Sequence, residues 1–259
     1  MGLLTYPVGR WLIGQWFTNN YYSHGVLVPL VSAYFAWRVV RSSRAASAPV
    51  DVALALLGGG AGLYVAGEAL AARYLSALAL ILMAGGLAGF LGSREMLRRL
   101  TFSLAYLVFA VPLPFVDGLA VKMGALTAGW AVMLVRRLGV MAINEGERVT
   151  LPSCSLAVGA PCSGIRSLVA LLALAAVWAY VVRGPWLARV ALLILAVPLA
   201  SVANLLRVTS LLWVAGRWGL EAGLRYYHDF SGPVFFALAL AGLLAASWGL
   251  RCRDIRSAI

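Results

Sequence analysis

The sequence predicts an all-α fold, a polytopic transmembrane helical bundle with about seven or eight spans and one interfacial or re-entrant helix. Hydrophobic residues make up 63% of the 259 residues and charged residues only 12%, and the mean hydropathy is +0.90. A soluble domain of this size needs more polar surface to cover its core. Several apolar runs approach or exceed the roughly 17–25 residues that a helix needs to cross the hydrocarbon core, and arginines cluster between them.

The N-terminal segment, residues 1–23, is predicted to be an interfacial or partly inserted helix. Aromatic rings favour the headgroup level of a bilayer. The aromatic residues of this segment include Tyr6, Trp11, Trp16, Phe17, Tyr21 and Tyr22. Full insertion of this helix would add an eighth span to the seven described next.

Seven further segments are apolar enough to be membrane spans, and together they predict a single integral membrane domain over residues 1–259. The fourth span breaks at Pro112 and Pro114, and the sixth can continue to Ala215. The spans cover about residues 25–40, 50–70, 75–91, 100–116, 163–182, 186–206 and 233–250.

Arginine clusters set the predicted orientation, because cytoplasmic loops carry the excess of positive charge. Alternation of the spans then places the loop with Cys162 and the segment 207–232 on the extracytoplasmic side. The net charge of +12 is thus a topology signal, which argues against nucleic-acid binding and leaves membrane lipid as the surroundings. The clusters are Arg38, Arg41 and Arg44; Arg94, Arg98 and Arg99; Arg183 and Arg189; Arg251, Arg253 and Arg256.

Residues 119–141 break this alternation. A crossing here would put Cys162 in the cytoplasm, against the charge of Arg183 and Arg189, so we expect this segment to lie in the outer interface or to re-enter. Residues 144–160 are polar and β-branched and predict an extramembrane loop with a short strand. Residues 119–162 would therefore form an extracytoplasmic interfacial helix and a loop that leads to Cys162.

Cys162 lies where this loop becomes a helix. The positive end of a helix dipole favours thiolate, the nucleophilic form, and Arg166 one turn later would add to the effect. Two other interpretations stay open at this residue, a small core cysteine and a disulfide with Cys154. Three cysteines are too few for a disulfide scaffold.

Arg207 interrupts an apolar stretch near the predicted outer end of a helix. Such an arginine is costly unless it is interfacial, paired or functional, and a fixed guanidinium can stabilise an oxyanion. Snorkelling to the interface is the alternative. Asn204 lies one turn earlier on the same face and could orient Arg207 or a substrate.

His228 is one of two histidines and precedes the last span on the same side of the membrane. Histidine is the natural proton shuttle near neutral pH, although a histidine in an aromatic belt is the alternative. Asp229 is its neighbour, and His24, the other histidine, is a secondary candidate for positioning a substrate. Scattered acids without paired-ligand spacing argue against a metal site, and we expect no cofactor.

Several short motifs together resemble those of the exosortase and archaeosortase family. Their order along the chain is that of the family, and they extend over about residues 21–250. Pro161, before the cysteine, departs from the expected pattern. The motifs are Tyr22-Ser23-His24-Gly25, Phe109-Ala110-Val111-Pro112-Leu113-Pro114, Ala160-Pro161-Cys162-Ser163-Gly164-Ile165-Arg166-Ser167-Leu168, Asn204-Leu205-Leu206-Arg207-Val208, and His228-Asp229 with Gly232.

The resemblance implies that Cys162 is the nucleophile of a cysteine transpeptidase and that Arg207 and His228 complete the catalytic set. Ser163, Arg166, Asn204, Asp229 and His24 would support it or bind substrate. Exported proteins with a C-terminal motif, a transmembrane helix and a basic tail would be the substrates. The enzyme would lie in the cytoplasmic (inner) membrane with its active site facing outward.

Three alternatives stay open on the sequence. The same residues would serve a hydrolytic intramembrane cysteine protease that uses water as acceptor. A transporter or channel is another class, although Glu68 is the only candidate acid in mid-span and no repeat symmetry is seen. A structural or assembly protein would tolerate changes at all three proposed catalytic residues.

Overall fold

The computed structural model describes most of the chain. Three residues named in the sequence analysis, Arg44, Pro161 and Arg253, lie outside the described residues, and so do the side chains of His228 and Asp229. The described residues are 2–42, 50–92, 94–146, 148–152, 154–157, 162–219, 221–252 and 254–256, with backbone only at 2–5, 50, 157, 224–226, 228 and 229. They form two compact units, the first reaching Pro114 and the second running from Phe115 to Arg256.

The first unit is helical throughout its described part. The N-terminal segment is a helix, as predicted, while its position at the membrane interface stays a prediction. Helices α3 and α4 pack as a hairpin, and a Cβ at Gly86 would lie 2.9 Å from the Leu57 nitrogen, so glycine permits their close approach. The helices are α1 (Gly2–Thr18), α2 (Leu27–Ser42), α3 (Val50–Ala69), α4 (Arg73–Leu91) and α5 (Arg94–Tyr106), with 3₁₀ turns at Asn20–Val26 and Leu107–Ala110.

The second unit contains four helices and a small sheet in its described part. Helix α8 is central, because it packs against α6, α7 and α9. A π-helical segment, Ala222–Tyr227, leads into α9. The elements are α6 (Phe115–Arg137), β1 (Ile143–Asn144), β2 (Arg148–Leu151), β3 (Cys154–Ala157), α7 (Ile165–Val181), α8 (Trp186–Trp218) and α9 (His228–Gly249).

The three strands form an antiparallel sheet in the order β1-β2-β3. The described part of residues 144–160, predicted to be a loop with one short strand, therefore contains strands of a three-stranded sheet. Val149, Leu151 and Leu156 bury their side chains in an apolar cluster with residues of α6 and α8. This burial stabilises strands that are too short to be stable alone.

The all-α class is confirmed, but the number of spans is not. Among the described residues five helices are long and apolar enough to cross a membrane, and α7 is apolar but shorter. Helix α6 is one of the five, so length and composition allow it to cross, and its placement in the interface stays a prediction. The five are Asp51–Ala69, Arg73–Leu91, Phe115–Arg137, Trp186–Trp218 and Phe230–Gly249.

Two predicted boundaries differ from the structure. The sixth span, predicted to end at Leu206 or to continue to Ala215, runs to Trp218, because buried Val208, Leu211 and Leu212 continue the packed face of α8. The predicted span 100–116 is instead a helix that begins at Arg94 and gives way to a 3₁₀ turn after Tyr106.

Candidate active site

Cys162 lies in the connection between β3 and α7, and its side chain is buried. Only 5% of the residue is exposed, and its neighbours in the apolar cluster come from α6, the sheet and α8. Its thiol is free, so the disulfide with Cys154 that the sequence left open is not formed. A free thiol that is buried among apolar side chains is consistent with either a core cysteine or a protected nucleophile.

Gly164 caps α7 in a conformation that other residues rarely adopt. Its φ is 76°, in the left-handed region that favours glycine. A Cβ at this position would also lie 2.5 Å from Cγ of Asn204. The Ser163 hydroxyl accepts a hydrogen bond from the Ile165 amide at 3.4 Å. The turn that carries Cys162 is therefore set by its own sequence and by one residue of α8.

Asn204 holds this turn directly. It is 4% exposed, and its Nδ2 donates a hydrogen bond of 2.9 Å to the carbonyl oxygen of Cys162, 42 residues away. Of the two roles that the sequence allowed, orienting Arg207 or orienting a substrate, neither describes this contact. The side chain of Asn204 orients the backbone of the proposed nucleophile.

Replacing Gly164 by alanine is expected to lower the rate of substrate cleavage about 100-fold. A 1 Å misplacement of a reacting group produces a loss of this order. The left-handed conformation costs alanine about 1–2 kcal/mol, and the new methyl group would push against Asn204. Processing rate and thermal unfolding of the purified protein measure both effects. Gly118→Ala is the matched control, because nothing lies within 4 Å of its added Cβ. Wild-type processing by Gly164→Ala would show that the turn does not position Cys162.

Arg207 lies one turn after Asn204 on α8 and is held from α9. Its Nε donates a hydrogen bond of 3.3 Å to the hydroxyl of Ser231, which is 2% exposed. Among the side chains that the structure describes, no carboxylate forms an ion pair with Arg207. A guanidinium that is half-buried and held in this way is suited to stabilise developing negative charge.

A small cleft lies beside this arginine, between α7, α8 and α9. Ser167, Asn204, Arg207, Gly232 and Phe236 contribute to its lining, and it has space for about one water molecule. A Cβ at Gly232 would lie 3.8 Å from Cζ of Arg207. An added Cβ would thus be in ordinary van der Waals contact with the guanidinium.

Burial raises the pKa of the Cys162 thiol, and the positive charge of Arg207 partly opposes the effect. The net shift is therefore opposite to the expectation that the helix end and Arg166 would favour thiolate. Arg166 is exposed at the start of α7, and desolvation penalises the charged form more than the nearby cation favours it. A raised pKa favours the neutral thiol at pH 7, so attack by this sulfur would need a base to remove its proton.

The raised pKa of Cys162 is expected to shift the pH dependence of its alkylation rate to higher pH. Only thiolate reacts with iodoacetamide, so a raised pKa places the half-maximal rate at a higher pH than for glutathione. Arg207→Gln removes the opposing charge and should shift this midpoint higher still, with slower alkylation at pH 8. Peptide mass spectrometry at Cys162 measures the rate. A midpoint below that of glutathione would contradict the dominance of burial.

His228 and Asp229 begin α9, and only their backbone is described. Helical spacing puts position 228 one turn before Ser231, on the same side of α9. The residue that anchors Arg207 therefore shares a helical face with the proposed base. Catalysis by His228 and support by Asp229 stay predictions.

His24 belongs to the first unit. Its Nε2 lies 3.2 Å from the carbonyl oxygen of Phe109, and its ring stacks on Tyr22. Burial lowers the pKa of this imidazole, and the bond to Phe109 partly opposes the effect, which favours the neutral form at pH 7. Its role in substrate positioning stays a prediction.

Sequence reasoning missed Ser231 as the anchor of Arg207 and Gly164 as a conformational requirement. Both residues stand inside or beside the quoted motifs. Ser231 falls one helical turn after His228, and Gly164 directly precedes an apolar helix. Helical spacing could have suggested the first residue, and the preference for glycine at positive φ could have suggested the second.

One family model, described as Transmembrane exosortase (Exosortase_EpsH), matches residues 16–245. The match includes Cys162, Asn204, Arg207 and His228. Neither the curated proteins nor the solved structures contain a match to this chain. Because the family match covers most of the chain, and the chain carries several helices able to cross a membrane, we conclude that this membrane protein belongs to the transmembrane exosortases, a family of cysteine-dependent protein-processing enzymes.

Proposed function

We propose that the protein is a cysteine transpeptidase that cleaves the C-terminal sorting signal of exported proteins and transfers them to an acceptor. The observation that supports this most is the joint placement of a free thiol and a guanidinium that is held by a neighbouring helix. Asn204 holds the backbone of Cys162, and one turn later Arg207 is held by Ser231. Acyl transfer needs a nucleophile and an oxyanion-stabilising group fixed in this way.

In the acylation step, His228 takes the thiol proton of Cys162. The sulfur attacks the carbonyl carbon of the scissile peptide bond, and the π electrons of that carbonyl move to its oxygen. Arg207 stabilises this oxyanion. When the oxyanion collapses, the carbon–nitrogen bond breaks, and His228 returns the proton to the leaving amine. The product is a thioester between Cys162 and the new C-terminus of the substrate.

In the second step, His228 removes a proton from the acceptor nucleophile. The acceptor attacks the thioester carbonyl, and Arg207 again stabilises the oxyanion. The carbon–sulfur bond then breaks, and the sulfur leaves as thiolate and recovers the proton from His228. A neutral resting thiol suits this cycle, because the same base that activates the sulfur also protonates the leaving group.

The proposed substrate combines a short motif, a transmembrane helix and a basic tail. The helix would dock from the lipid against the bundle, its basic tail would stay cytoplasmic, and its motif would reach the outer face. Charge distribution supports this orientation, since the arginine clusters belong on the cytoplasmic side. The active site would then face outward from the cytoplasmic membrane.

Product mass distinguishes transfer from hydrolysis. A reporter with a candidate C-terminal signal is expressed with the wild-type enzyme, and the new C-terminus is analysed by mass spectrometry. If the enzyme transfers the reporter to an acceptor, the new C-terminal peptide of the reporter is heavier by the mass of the attached acceptor. A free carboxyl group would instead favour the hydrolytic protease, in which water is the acceptor. A reporter that stays uncleaved for every signal of this architecture would contradict the substrate class.

A further inference from the structure

The candidate site contains a buried hydrogen-bond acceptor without a described partner. The Oδ1 atom of Asn204 is buried and has no hydrogen-bond partner in the described structure, although the residue is 4% exposed. A flip of the Asn204 amide, which would exchange Oδ1 and Nδ2, is excluded. The carbonyl oxygen of Cys162 can only accept a hydrogen bond, so the donor Nδ2 must face it. The orientation of the acceptor is thus determined by the nucleophile's own backbone.

An unsatisfied buried acceptor costs free energy, and in native structures such atoms are few. Asn204 lines the cleft between α7, α8 and α9 together with Arg207. The two residues are one turn apart on α8, a spacing at which side chains are neighbours. The cleft is therefore lined by a hydrogen-bond donor group, the guanidinium of Arg207, and by Asn204, the residue that carries the acceptor without a described partner.

A peptide main chain presents the complementary pair. Each residue other than proline carries one carbonyl acceptor and one N–H donor. A substrate carbonyl that is directed to Arg207 leaves the N–H group of the same residue close by, and that group needs an acceptor once water is excluded. Asn204 supplies such an acceptor without any change in its bond to Cys162.

We propose that Oδ1 of Asn204 accepts a hydrogen bond from the main-chain N–H of the substrate residue whose carbonyl Cys162 attacks. Asn204 would then be a two-sided clamp, holding the nucleophile's backbone with Nδ2 and the acyl residue of the substrate with Oδ1. This inference rests on the proposed acyl transfer at Cys162. It implies recognition of the peptide backbone, whatever side chain the motif carries there.

A matched pair of small electrophiles tests the acceptor without a substrate. The reagents 2-iodo-N-methylacetamide and methyl iodoacetate differ by an N–H group in place of an oxygen and alkylate the same sulfur. Their rates at Cys162 are measured by peptide mass spectrometry on the full-length protein, and each rate is divided by the rate with glutathione. We expect the wild type to prefer the amide reagent roughly fivefold after this correction, as one hydrogen bond would give.

Three variants assign the preference to Oδ1. Asn204→Leu removes both the donor Nδ2 and the acceptor Oδ1, so this variant should lose the preference for the amide reagent. Asn204→Asp keeps an oxygen acceptor but loses the donor to Cys162, so its preference should remain while both rates change. Ser201→Ala is the control on the same helix, because its hydroxyl bonds to the Val197 carbonyl at 2.9 Å, and it should match the wild type.

Equal corrected rates for the two reagents in the wild type would overturn the proposal without any variant, and so would a preference that survives in Asn204→Leu. The result is separate from that of the proposed function. Processing that persists in Cys162→Ala would remove the acyl-transfer reaction, whereas the reagent preference reports only whether an acceptor faces the sulfur of Cys162.

Discussion

Replacing Cys162 by alanine is expected to abolish processing, with a rate at least about 10⁴-fold below wild type, as for other enzymes that lose their nucleophile. The variant keeps the backbone carbonyl that Asn204 binds and removes only the sulfur from an apolar cluster. Its stability should therefore fall by only about 1 kcal/mol. Cleavage of a reporter and thermal unfolding of the purified protein measure the two effects.

Cys252→Ala is the matched control for this prediction. Cys252 is also a buried free cysteine, but it follows α9 and its thiol lies 3.7 Å from the Leu250 carbonyl oxygen. We expect this variant to process the reporter at close to the wild-type rate. Equal processing by Cys162→Ala and the wild type would remove Cys162 from the chemistry and would favour a structural role for the family motif.

Arg207→Gln is expected to lower kcat about 10²–10³-fold with a smaller change in KM, because the loss of an oxyanion donor acts mainly on the transition state. Arg207→Lys should recover part of this loss, since it restores the charge but not the planar guanidinium whose Nε bonds to Ser231. Steady-state kinetics on a reporter peptide in detergent measure kcat and KM separately.

Arg217→Gln provides the control for charge removal. Arg217 stands on the same helix, in its last turn, and is exposed. We expect its kcat to stay within about twofold of wild type, as for a surface substitution away from the site. A similar small effect at Arg207 would mean that its guanidinium snorkels to the interface and has no part in the reaction.

The helical class was predictable because it depends on local sequence. Apolar runs of the length of α3, α4 and α9 stand out in any window. Boundaries were harder to predict. Helix α5 begins in a polar stretch that includes Arg94 and Arg98, ahead of the apolar residues from which its start was predicted. Helix α8 continues beyond Arg207 through apolar residues, although the charge of Arg207 suggested that the helix ends near it.

The chemistry of the site was predictable only in its residue types. Cys162 and Arg207 stood out as reactive or costly side chains, but the bond from Asn204 to the Cys162 carbonyl joins positions 42 residues apart. The raised pKa of Cys162 likewise depends on tertiary burial by α6, the sheet and α8. Periodicity and motif spacing carry no information on such contacts.

The central claim is that Cys162 becomes acylated by its substrate. The full-length enzyme in lipid vesicles is mixed with a reporter that carries the sorting signal, without added acceptor, and the reaction is quenched with acid and digested. We predict a Cys162 peptide heavier by the new C-terminal segment of the reporter, and its release by hydroxylamine as a hydroxamate. Cleavage of the reporter while Cys162 stays unmodified at every time point, with the adduct absent or on another residue, would contradict the account.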